Sequence, residues 1–189
     1  MADFAAALAL VLIHEGGYAN DPDDRGGETY RGIARRFHPD WPGWSRVDAL
    51  SRRPGFPRSL ETDPRLAAAV AAFYRDLYWD QFQGDALPDQ RLAEELFDTA
   101  VNLGVRRAVR FLQEALNLLN RNQRTYADLV VDGWLGEKSL AALALVSAAD
   151  GDARFVVKLI NALQAAHYLD VMRHDPTQEK FARGWLSRT

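Results

Sequence analysis

The chain has no cysteine among its 189 residues, so neither a disulfide framework nor a thiolate metal site can hold it together. Proline is sparse at eight residues, and no apolar run is long enough to cross a bilayer. The run from Phe4 to Ile13 has no basic segment before it and leads into His14-Glu15-Gly16-Gly17 instead of a small-residue cleavage site. It therefore reads as a buried helix, and the sequence predicts synthesis in the cytoplasm without a signal peptide. Excess positive charge is missing as well. A net charge of −3 speaks against a nucleic-acid binder that works through phosphate contacts. Period-two alternation is almost absent, which leaves little room for sheet.

What is present is enough for a core: 48% apolar residues, five Trp and nine Phe argue for a folded globule. Charge is uneven. Between Arg31 and Leu60 seven Arg face only Asp40 and Asp48, interleaved with Phe37, Trp41, Trp44 and Phe56. Such a stretch suits either an anionic polymer or an ordinary solvated loop.

Helical signals dominate. Asp3 can cap a helix over Phe4 to His14, stopped by Gly16-Gly17. Residues Tyr18 to Glu28 are crowded with Asn, Asp, Pro and Gly, a composition for turns or a short irregular hairpin. A brief helix is predicted around Tyr30 to Phe37. Trp41 to Pro57 carries repeated Pro and Gly breaks and reads as an extended loop with at most one helical turn near Val47 to Leu50. Asp63-Pro64 opens a segment to about Phe82, and Pro88 opens another that Gly104 ends. Further helices are predicted at Val105 to Leu119, Glu137 to Ala149, Ala153 to Met172 and Pro176 to Leu186, from apolar residues recurring at three and four. The expected fold is mainly α, a single helical globule over 1–189 with at most a small β-hairpin beside the first helix.

One constellation carries chemistry. Breaking a glycosidic bond asks for a protonated carboxylic acid on one side of the sugar and a second carboxylate on the other. Glu15 follows ten mostly apolar residues and precedes two glycines, so its backbone can pack on the core while the glycines leave space for a ligand. Nine positions on comes Asp24, then Gly26-Gly27 and Thr29. Thr29 can share a water with Asp24, or simply cap a helix from Tyr30 onward. Asp21 and Asp23 compete with Asp24 for the second role, and Gly27 is placed to let the loop approach a ligand. Tyr18, Trp41 and Trp44 suit sugar stacking or core packing. Asp98 and Asn102 stand four apart on one predicted helix face, where they can bond N-acetyl groups or serve structure. The four His form no ligand spacing, so no metal is expected, and the chemistry calls for no cofactor.

The stretch HEGGYANDPDDRGGETYRGIA resembles the signature of the glycoside hydrolase family 108 N-acetylmuramidases, and it is also similar to the Glu, Asp, Thr arrangement of phage-type lysozymes, with Thr29 one residue closer to the Asp. The likeness continues through FYRDLYWDQFQGDALPD and LAEELFDTAVNLG. From about Leu96 the chain resembles that family's predicted peptidoglycan-binding part, with Gln113, Asn117 and the Asp132-Gly133-Trp134-Leu135-Gly136 turn as its marks. The resemblance implies a lysozyme-like fold, a catalytic segment over 1–93, a peptidoglycan-binding helical segment over 94–186, and Glu15 as catalytic acid. It implies an endolysin-like muramidase that cuts peptidoglycan between N-acetylmuramic acid and N-acetylglucosamine with inversion. The expected partner is the peptidoglycan glycan strand, met by a monomer in the periplasm or in a phage-like particle. Two rivals differ in testable ways: a lytic transglycosylase needs no water-holding Asp24, and a non-catalytic wall-binding or secretion-assisting protein would keep the fold alone.

Overall fold

Capping chemistry sets several helix boundaries in the structure, a computed structural model that describes residues 1–20 and 27–189. Asp63 is extended at the N-cap of α3 (Pro64–Tyr74), where its carboxylate accepts from Arg65 N at 3.0 Å and Leu66 N at 3.1 Å. Asp89 does the same for α4 (Gln90–Leu103), accepting from Leu92 N at 3.0 Å. The other helices are α1 (Phe4–Glu15), α2 (Gly43–Ser51), α5 (Val105–Leu119), α6 (Glu137–Asp150), α7 (Arg154–His174) and the short α8 (Ala182–Leu186). A three-stranded antiparallel sheet is formed by β1 (Tyr18–Asn20), β2 (Glu28–Tyr30) and β3 (Ile33–Ala34). The fold is mainly α and lysozyme-like, with sheet confined to these strands among the described residues.

Two compact units divide the chain: Phe4–Leu77, and Met1–Asp3 with Tyr78–Thr189. The division falls at Leu77/Tyr78, whereas the segment boundary at 93/94 expected from the sequence lies inside α4.

In the first unit α3 packs against α1 and α2. Trp44, Val47 and Leu50 on α2 are buried at three-residue spacing, and Trp41 and Trp44 meet edge to face at 5.1 Å. Two expectations fail here. The loop predicted over Trp41 to Pro57 contains α2, because Trp44, Val47 and Leu50 supply one apolar face and Pro42, at φ −63°, suits a helix start. The helix predicted around Tyr30 to Phe37 is instead the end of β2, a tight turn and β3. Tyr30 pairs with Ile33 across Arg31-Gly32, both at positive φ (49° and 75°), the primed hairpin geometry that strand twist favours.

In the second unit α4, α5 and α7 pack on one another. Leu92, Leu96 and Phe97, Leu112 and Leu116, and Val156 and Ile160 are fully buried there. Gly104 ends α4 and starts α5 at φ 88°, ψ 146°, a conformation closed to side-chain-bearing residues. The segment predicted over Pro176 to Leu186 is a 3-10 turn, Pro176–Phe181, followed by α8.

Candidate active site

Glu15 is the last residue of α1 and is half-buried. An anion at a helix C-terminus faces the negative end of the dipole, so its placement there needs a reason. The chain turns at Gly16-Gly17 into β1, and Arg31 N donates to Gly17 O at 3.0 Å, which brings the β2–β3 turn back against the helix end. At the apex of that turn sits Gly32. A methyl placed on it would come within 2.5 Å of Glu15 Oε2 and 2.6 Å of the Tyr74 hydroxyl. The Glu15 carboxyl is thus seated against a bare backbone position, beside a phenol that donates to Arg31 O at 2.8 Å.

Tyr74 is held from behind. It ends α3, is buried, and its ring lies edge-on to Phe73 at 5.5 Å, with Phe73 in turn edge-on to Trp41 at 6.4 Å and to His38 at 4.8 Å. The sequence assigned Tyr74 no role, since an aromatic residue at helical spacing reads as core. A second acid missed by the sequence is Glu61, whose Oε1 lies 3.6 Å from where a Cβ of Gly17 would stand.

The other expected residues are scattered over both units. Thr29 is half-buried in the central strand, paired with Ala19 and Ala34. Asp24, with Asp21, Asp23 and Gly26, lies outside the described residues. Among the described residues nothing lies within 4 Å of a notional Cβ on Gly27. Tyr18 donates to Glu28 Oε1 at 2.9 Å and meets Phe56 at 4.8 Å; burial, reinforced by Glu28, pushes its hydroxyl pKa up. Trp44 is 4% exposed, with its N–H donating to His38 O at 2.8 Å, and Trp41 is 7% exposed, with its N–H 3.3 Å from Ala69 O. Both indoles are core, so neither offers an open face for sugar stacking: Trp44 belongs to the buried face of α2, and Trp41 packs against it, Tyr30 and Phe73.

Asp98 and Asn102 belong to the other compact unit, and each engages a polar atom within it. Asp98 Oδ1 accepts from Arg188 at 2.7 Å, and the Asn102 amide meets the Tyr168 hydroxyl. The basic stretch is also partly neutralised within its own unit. Arg35 bridges Glu28 at 3.1 Å and Asp48 at 2.6 Å while lying over Trp44, and Arg46 binds Asp63, which holds that carboxyl below its ordinary pKa. Among the described residues no group of three acids or histidines is arranged to hold a metal ion.

In the second unit two amides on α5 and a third at its C-cap, Asn120, organise the segment before α6. Gln113 Nε2 donates to Asp132 Oδ1 at 2.9 Å and to Trp134 O at 3.0 Å, while its Oε1 accepts from Gly133 N at 2.9 Å. Asn117 exchanges two bonds with the backbone of Leu129, at 2.9 and 2.8 Å, and Asn120 binds Tyr126 O and Asp128. The Asp132 to Gly136 turn is therefore a built feature, and Gln113 with the Trp134 N–H holds the Asp132 carboxyl below its ordinary pKa.

Comparison with known proteins divides the chain between residues 104 and 107, beyond the Leu77/Tyr78 division. The family model described as glycosyl hydrolase 108 matches residues 8–104, and one described as a predicted peptidoglycan domain matches residues 107–189. A solved structure of SagA from Brucella abortus is similar at 26% identity and a TM-score of 0.59, over 98% of this chain and 88% of that one. Among curated proteins none matches the sequence.

Proposed function

The chain belongs to the glycosyl hydrolase 108 family, and from that premise we propose that it hydrolyses peptidoglycan at the β-1,4 bond between N-acetylmuramic acid and N-acetylglucosamine. In this reading Glu15 protonates the leaving oxygen, and Asp24 with Thr29 directs a water to the opposite face of the sugar, so the anomeric configuration inverts. The observation that carries it is the seat of Glu15: a helix-end carboxyl packed against the side-chain-free Gly32 and the anchored Tyr74 hydroxyl. A general acid needs such fixed placement, because a proton donor contributes only when held within hydrogen-bond reach of the atom it serves. The match of residues 107–189 to a peptidoglycan domain supports the wall as partner. Action as a monomer, in the periplasm or within a phage-like particle, completes the proposal.

The test is turbidity loss of purified sacculi together with proton NMR of the first product. Wild type should clear the suspension and release the α-anomer, and Glu15→Gln, folded by circular dichroism, should do neither. Clearing at the wild-type rate by Glu15→Gln would refute the role of Glu15, and release of the β-anomer would refute inversion.

A further inference from the structure

A groove of about 670 Å³ lies within the second unit, between α6 and the segment that the α5 amides hold in place. Its volume falls in the range of small-ligand sites. Part of the lining is small and apolar, with Ala127, Ala141 and Ala142 beside Leu145, which leaves room for a ligand there. Trp134 stands at it 61% exposed, with Arg106 stacked 4.8 Å from the ring centroid.

The charges around this space lean negative. Asp128, Asp132 and Glu137 line it together with Lys138, and Arg106 stands over Trp134. Asp132 takes its bonds from Gln113 and Trp134 N on the same oxygen, Oδ1, and stays ionised. Three carboxylates beside a patch of alanines favour an occupant that presents an ammonium to them. A bare glycan fits less well. Sugar chains ask for flat aromatic platforms, whereas Arg106 covers a face of Trp134 and Tyr126 is tied through its hydroxyl to Leu116 O at 2.6 Å.

We propose that this groove binds the stem peptide of peptidoglycan, seating its alanyl methyls on the small-residue floor and its diamino-acid ammonium among Asp128, Asp132 and Glu137. The proposal rests on the wall being the partner, and deepens it by assigning the second unit to the peptide instead of the glycan. The groove then tethers the enzyme to uncut wall and raises the local concentration of glycan around the catalytic unit.

Isothermal titration of the full wild-type chain with the sugar-free pentapeptide L-Ala-γ-D-Glu-L-Lys-D-Ala-D-Ala tests this directly. The peptide should bind, and acetylation of its lysine should weaken binding by about tenfold or more. Ala141→Trp, at an exposed position lining the groove, should abolish binding with an unchanged melting temperature, and Glu137→Gln should weaken it severalfold. Absence of peptide binding, equal binding of the acetylated peptide, undiminished binding by both variants, or preference for peptide-free glycan strands would each overturn the proposal. Because the pentapeptide contains no glycosidic bond, failure here is distinguishable from failure of wall hydrolysis, which the sacculus assay reads separately.

Discussion

Replacing Gly32 by alanine should silence the enzyme while leaving it folded, and the geometry gives the size of the effect. Gly32 sits at φ 75°, so a side chain there costs about 1–2 kcal/mol of backbone strain. The larger consequence is steric. Ordinary contact begins at 3.4 Å, but the new methyl would stand 2.5 Å from Glu15 Oε2 and 2.6 Å from the Tyr74 hydroxyl, so the carboxyl must retreat by about 1 Å. A displacement of that size at a reacting group lowers rate by about 100-fold. Gly151→Ala is the matched control: φ there is 83°, with nothing within 4 Å of the added methyl, so it carries the same strain without touching Glu15. Sacculus clearing and thermal melting, measured on both variants, separate the two contributions. Both should lose stability from the backbone strain, Gly32→Ala more because the methyl also crowds the buried Tyr74, and Gly32→Ala alone should lose activity. Equal activity in the two would refute the seat of Glu15 as the catalytic geometry.

Other parts of the structure are testable in the same way. Glu95 on α4 is largely buried with Asp98 nearby, and desolvation first and that neighbouring charge second raise its pKa from 4.5 to about 7. The unfolded chain releases this proton near 4.5 while the folded one keeps it to about 7, so the carboxyl destabilises the fold progressively across that window and fully above it, by at most about 3 kcal/mol. Glu95→Gln should therefore raise the melting temperature at pH 8 and leave it unchanged at pH 4; an equal shift at both would contradict the burial effect. Trp44→Phe should lower stability by about 1–3 kcal/mol and leave KM for wall fragments unaltered, since the indole packs in the core; a severalfold rise in KM would restore a sugar-stacking role. Gln113→Ala removes three bonds to the Asp132–Trp134 turn and should cost about 2–4 kcal/mol, seen as a lower urea midpoint; an unchanged midpoint would show that the turn holds itself.

Much of the helical unit was legible because its signals are local. Asp63-Pro64 and Gly104 mark boundaries through capping and backbone freedom, Pro88 stands just before the Asp89 cap of α4, and the apolar spacing of α4 to α7 follows the helical repeat. The errors arose where two periodicities compete. Tyr30, Ile33 and Phe37 are spaced as on a helix, yet Arg31-Gly32 takes the left-handed turn that pairs β2 with β3. In α2 the density of flanking Pro and Gly masked the buried repeat of Trp44, Val47 and Leu50. The placement of Glu15 at the end of an apolar helix, before two glycines, was legible. Its companions Tyr74 and Glu61 were not, because they are distant in the chain and only tertiary packing brings them to the turn at Gly17 and Gly32. Asp98 and Asn102 misled for a related reason: i to i+4 spacing tells which face two residues share, and not what that face meets. That face meets Tyr168 and Arg188.

Mass spectrometry of the soluble fragments released from purified peptidoglycan by wild type and by Glu15→Gln tests the catalytic assignment most directly. Muropeptides with reducing N-acetylmuramic acid ends from wild type, and none from the variant, are the predicted result. Fragments with 1,6-anhydro ends, or the same fragments from both proteins, would contradict it.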